Sequence, residues 1–138
     1  MRASAFTLVE LMVVVTILGV LAALSMPMFA SAMETARMDE SVAKLRSVSL
    51  AQRMYWLEER TYANTLTDLV SSKLLDTVVD STTKPYQFTV SASDGTTFEV
   101  EAERAESTWS GTVTIDEAGD VAGSVTSEGG RVVTPAAN

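Results

Sequence analysis

Phe6-Thr7-Leu8-Val9-Glu10-Leu11 opens an apolar run that continues through Gly19 to Leu24, and the reading of this stretch decides the architecture of the whole chain. Between Leu11 and Leu24 there is no charged residue. Counted from Phe6 to Phe29, the segment reaches the roughly 20 residues, at about 1.5 Å each, that a helix needs to cross a bilayer. A membrane-spanning helix is therefore expected. The oddity is Glu10, at the entrance of the span. A lipid-facing carboxylate costs about 2.5 to 3.5 kcal/mol at the bilayer centre and less near the interface, so Glu10 is expected to have a partner.

Two plainer readings use the same residues. A secretory signal peptide would take Arg2 as its basic region, Leu11 to Leu24 as its core and Ala30-Ser31-Ala32 as a small-residue site before Met33. Against it, Glu10 interrupts the apolar region, the core is long, and helical patterning continues straight through the supposed cut. An ordinary single-span anchor needs nothing beyond the span itself.

The order Ala5/Phe6-Thr7-Leu8-Val9-Glu10, then Gly19, then Pro27, resembles the N-terminus of type IV pilins and type II secretion pseudopilins. The strict motif covers Met1 to about Pro27; the order of elements beyond it resembles the family more loosely. The resemblance implies that a prepilin peptidase cuts between Ala5 and Phe6 and methylates the new Phe6 amine. It implies that Glu10 pairs with the Phe6 amine of a neighbouring subunit, setting axial register, and that the helix melts between Gly19 and Pro27 as subunits enter a filament. A simpler role for Pro27 is a kink at the membrane exit, because it removes one backbone donor from the helix. One departure is Ala5, where the family usually carries Gly. The implied partners are further copies of the chain in a helical homopolymer, the prepilin peptidase, an inner-membrane assembly platform, and membrane lipid before assembly. The implied location is the bacterial inner membrane for the precursor, then an extracellular pilus or a periplasmic pseudopilus.

Length leaves room for a leader (1–5), a transmembrane and filament-core helix (6–29) and one head (30–138) of about 105 residues, near the common domain size. Arg2 keeps the leader cytoplasmic and sends the head across. The net charge is −8. From Asp80 onward the only bases are Lys84, Arg104 and Arg131, a balance that disfavours nucleic acid as a partner. The chain has neither Cys nor His. Disulfides are thereby excluded, in contrast to the many type IV pilins that close a C-terminal loop with one, and the commonest general base and metal ligand are missing. No enzymatic activity is expected.

From Ala30 to about Glu59, Met38, Val42, Leu45, Ser49, Gln52 and Trp56 follow helical spacing with Val48 and Tyr55 alongside, predicting one buried stripe. Asp39, Glu40, Lys44, Arg46, Arg53 and Glu58 fall mostly off it. A short amphipathic piece, Leu66 to Leu75, precedes a polar connector, Asp76 to Pro85. Period-two alternation then predicts a hairpin: Tyr86, Phe88 and Val90, a turn at Ser93-Asp94-Gly95, and Phe98, Val100 and Ala102. A second pair is predicted from Trp109 to Ile115 and from Val121 to Val125, with Thr126 to Asn138 as an exposed tail. The expected fold is α+β and pilin-like, a long N-terminal helix packed against a four-stranded antiparallel sheet.

Asp116, Glu117 and Asp120 beside Gly119 are weak candidates for calcium, since hard cations take oxygen ligands from loops; the competing reading is an ordinary turn. Tyr55, Trp56, Tyr62, Phe88, Phe98 and Trp109 read as core or subunit contacts. The leading function is that of a structural pilus subunit. The alternatives are a type II secretion pseudopilin and a membrane-anchored or secreted monomeric binding module.

Overall fold

Helix α1 runs from Leu8 to Glu59, and the computed structural model describes residues 6–76, 85–104 and 108–136. The leader Met1 to Ala5 and most of the connector Asp76 to Pro85 lie outside the described residues. The chain divides into two units, Met1–Met33 and Glu34–Asn138, and α1 contributes to both.

The head contains the second part of α1, a short α2 (Leu66–Ser71), and strands β1 (Tyr86–Ser93), β2 (Phe98–Arg104), β3 (Trp109–Asp116), β4 (Val121–Ser127) and β5 (Val132–Val133). They form one antiparallel meander in the order β1-β2-β3-β4-β5. The expected stripe is buried: Met38, Val42, Leu45, Ser49 and Gln52 lie inside with Val48 and Ala51, while Trp56 is half-buried. The sheet answers with Phe98, Val100 and Ala102 of β2, Trp109, Val113 and Ile115 of β3, Val125 of β4 and Val133 of β5. Alternation along β2 is strict, so Glu99 and Glu103 point to solvent while Arg104 falls on the inner side.

Two expectations are corrected. The sheet has five strands rather than four, because the segment after Ser127 turns back and Val132 and Val133 pair with Thr126 and Val125. The tail is accordingly not a free end. Val133 is buried, and its turn is closed by Ser127 N–H donating to the Arg131 carbonyl at 2.8 Å. A two-residue strand is too short to show alternation, which is why it was missed in the sequence.

Local chemistry sets the joints. Thr65 and Asp68 form a reciprocal capping box that starts α2, and Gln52 clamps Ala63 through both halves of its amide, at 2.9 and 2.8 Å. Gly111 and Gly123 allow β3 and β4 to approach. An added Cβ on Gly111 would stand 2.2 Å from the Ser124 carbonyl oxygen, and one on Gly123 would stand 2.2 Å from that of Thr112.

Candidate functional site

The N-terminal segment is built by its first turn. Thr7 precedes the first helical residue. Its backbone N–H and its hydroxyl both donate to Glu10 Oε2, at 3.3 and 3.0 Å, while the Glu10 backbone N–H donates to Thr7 Oγ1 at 3.2 Å. This reciprocal pair is a capping box, and it satisfies donors that a helix start otherwise leaves orphaned. Thr7-x-x-Glu10 is the sequence signature of that motif. Within one chain, then, Glu10 already has neutral donors. A cationic partner from another chain would exchange for them.

Beyond Glu10 the segment offers lipid nothing polar that is unsatisfied. Thr16 Oγ1 donates to the Met12 carbonyl and Ser25 Oγ to the Leu21 carbonyl, each at 2.8 Å, so both hydroxyls are absorbed by their own helix. The large apolar side chains from Phe6 to Phe29 are exposed, Phe6 by 72%. A Cβ placed on Gly19 would meet nothing within 4 Å, so crowding inside this chain does not require the glycine. The helix is continuous through Pro27.

The head carries a buried polar cluster that sequence reading overlooked. Arg104 Nε donates to Glu34 Oε1 at 2.7 Å and its Nη2 to Oε2 at 3.2 Å, while Nη1 donates to the Pro85 carbonyl at 3.1 Å. The Tyr86 hydroxyl donates to Oε1 at 3.2 Å, and Arg37 reaches Oε2 at 3.4 Å. Glu34 is fully buried. Burial alone would push its carboxyl up, but the Arg104 hydrogen bonds and charge, with Tyr86 and Arg37, outweigh that and hold it below the ordinary 4.5. Burial, followed by the Glu34 charge, keeps the Tyr86 phenol neutral well above its usual 10. The signal was phase. Glu34 stands four residues before Met38 on the buried stripe, and Arg104 continues the inward alternation of β2.

The three weak calcium candidates sit in the β3–β4 turn. Asp116 Oδ1 accepts from the backbone N–H of Gly119 and of Asp120, both at 2.9 Å, and Arg53 donates to the carbonyls of Glu117 and Ala118 at 3.2 and 3.4 Å. The arrangement is that of a turn tied to α1. Among the described residues no three or more His, Cys, Asp or Glu side chains are grouped to hold a metal ion. Asp94 is likewise a turn residue, its Oδ1 accepting from the backbone and hydroxyls of Thr96 and Thr97.

Comparison with known proteins agrees with this layout. Residues 1–26 match the prokaryotic N-terminal methylation motif, and residues 27–112 match a family described as type IV minor pilin ComP, DNA uptake sequence receptor. The chain is similar to type II secretion system core protein G of Pseudomonas aeruginosa, 40% identical over 62 residues, which is 45% of this chain and 44% of that protein. It is also similar to type IV major pilin protein PilA of Myxococcus xanthus, 35% identical over 63 residues, or 46% of this chain and 29% of that one. The match thus spans less than half the length of either curated relative.

Proposed function

The chain belongs to the type IV pilin-like family of the minor-pilin ComP model, and from that premise we propose that it is a filament subunit, stored in the membrane as a precursor and polymerised through its N-terminal helix. It is a structural protein, not an enzyme. One observation supports polymerisation most directly. The apolar surface from Phe6 to Phe29 is uncovered within the chain, and the single carboxylate at its entrance is held by exchangeable neutral donors. In the membrane, lipid covers the apolar face; in a filament, other copies of the helix would.

In this reading a prepilin peptidase cuts between Ala5 and Phe6 and methylates the Phe6 amine, and Glu10 receives that amine from the neighbouring subunit. Gly19 and Pro27 weaken the helix between them, and the assembly platform of the inner membrane feeds subunits into the filament. Gly19 supports this because, among the described residues, nothing stands within 4 Å of a Cβ placed there, while a glycine inside a helix weakens it by about 1 kcal/mol relative to alanine. Mass spectrometry of the mature N-terminus tests the processing step. N-methylated Phe6 is expected, and a bulky residue in place of Ala5 should leave uncut precursor. A mature chain beginning at Met33, or an uncut Met1, contradicts the reading.

The similarity to core protein G of a secretion system favours a second reading, a short periplasmic pseudopilus in place of a pilus. A secretion operon around the gene supports it; an outer-membrane secretin with two ATPases supports the pilus. DNA uptake, named in the description of the matched family, is opposed here by charge. Arg2 and Glu10 cancel, so the whole net charge of −8 falls on the remainder of the chain.

A further inference from the structure

Among the described residues, Glu34 is the first buried one along α1; those from Phe6 to Met33 are exposed, apart from a half-buried Ser31. The helix therefore meets the head first through a carboxylate. Apolar burial begins one turn later, at Met38, and goes on through Val42 and Leu45. Two strands grip the carboxylate. Arg104 of β2 donates to both of its oxygens at 2.7 and 3.2 Å, and the Tyr86 hydroxyl of β1 donates at 3.2 Å. Arg104 also holds the Pro85 carbonyl at 3.1 Å, so the chain entering β1 is tied to the same point.

Adding or removing one residue at the end of an unpacked helix changes its free energy little, so an opening that starts in the apolar run can travel along α1 until it meets tertiary contacts. A leucine at the first contact would yield gradually, in proportion to the apolar surface uncovered. A buried carboxylate in the fork of a guanidinium does not yield in that way. Withdrawing it strands the Arg104 charge inside the head, and the paired hydrogen bonds tolerate little rotation of the helix. We propose that Glu34, Arg104 and Tyr86 form a stop that keeps helix opening upstream from entering the head. The use made of the stop rests on the proposed weakening of the helix between Gly19 and Pro27; the stop itself does not.

Trypsin reports on the stop in the full-length chain held in detergent micelles. Cutting after Arg37 requires the turns from Glu34 to Ser41 to open, and cutting after Arg53 requires the packed middle of α1 to open. Each rate follows the population of its open form, so the ratio of the two separates local opening from unfolding of the head. Ala32→Pro imposes an opening just upstream, because a proline inside a helix loses its hydrogen bond and clashes with the carbonyl four residues back, that of Met28. With the stop intact, Ala32→Pro should raise the Arg37-to-Arg53 ratio by less than about twofold; added to Glu34→Gln, it should raise that variant's ratio by about tenfold or more. Tyr86→Phe removes one donor and keeps the ring. It should give a smaller rise in the same direction, and it decides the matter where Glu34→Gln unfolds the head. A tenfold rise from Ala32→Pro alone, or no further rise when Glu34→Gln or Tyr86→Phe is added, overturns the stop. Hydrogen exchange between Gly19 and Pro27 in sheared filaments judges the upstream weakening separately. Fast exchange there supports the weakening, and slow exchange contradicts it while the trypsin ratio still decides the stop.

Discussion

Glu34 on α1 and Arg104 at the end of β2 meet inside the head through two hydrogen bonds of 2.7 and 3.2 Å, and this pair ties the rotation of the helix to the register of the sheet. A one-residue slip of β2 would carry Arg104 to the outer face and leave a buried carboxylate without its cation. Burying the pair adds little net stability; breaking it is expensive.

Arg104→Leu is therefore expected to destabilise the head by about 3 to 5 kcal/mol, and Glu34→Met combined with Arg104→Leu by clearly less than the sum of Glu34→Met and Arg104→Leu made singly. Urea unfolding of a soluble fragment beginning at Ala30 measures both. That fragment should fold by itself, since Glu34–Asn138 holds its own core. Additive single and double effects would mean that the two side chains act independently.

The same pair sets an acid limit. The folded Glu34 carboxyl lies below its ordinary 4.5, so its contribution is fully present above the unfolded value and is lost as pH falls through the folded one. Asp94 acts in the same direction, held far below 3.8 by the backbone N–H groups of Thr97 and Thr96 and by their hydroxyls. Head stability should thus decline below about pH 4.5, and Glu34→Gln should flatten part of that slope while lowering the plateau. Urea midpoints recorded across the acid range check it; an unchanged slope in Glu34→Gln would assign the acid limb to other carboxylates.

Gly111→Ala should abolish cooperative folding or cost more than about 3 kcal/mol, because the new methyl meets the backbone oxygen of Ser124, which cannot swing away. Gly130→Ala is the comparator. Its φ of +75° also disfavours a side chain, but its surroundings are open, so a loss of only about 1 kcal/mol is expected. Thermal denaturation followed by circular dichroism distinguishes crowding from dihedral strain; equal losses would remove the close-approach argument.

The parts legible in the sequence were those with a long period. The 52 residues of α1 and two hairpins repeat their pattern often enough that Met38 to Gln52 and Phe98 to Ala102 declare their buried sides. What escaped was either short or paired across distance. β5 offers two residues, too few for alternation. Glu34 and Arg104 each sit in phase with a buried side, yet a charged residue there reads as an error until its partner seventy positions away is known. The Thr7–Glu10 cap is local and its Thr-x-x-Glu signature stands in the sequence, but a carboxylate at the entrance of an apolar span equally signals a partner outside the chain. The structure adds that this carboxylate is already provided for in the single chain.

That makes Glu10 the sharpest place to separate assembly from folding. Glu10→Val removes a charge from the span, easing insertion by up to about 2.5 kcal/mol, and loses a helix cap of about 1 kcal/mol far in sequence from the head. Precursor level and head stability should therefore hold. Filament formation should fail, because each incoming Phe6 amine would be buried without its carboxylate, a loss of about 3 to 5 kcal/mol at every contact along the filament. The measurement is filament yield by electron microscopy of sheared surface material, with cell-associated protein quantified in parallel. Near-complete loss of filaments at unchanged protein level is the predicted result; a normal filament yield from Glu10→Val would contradict the claim that this carboxylate drives assembly.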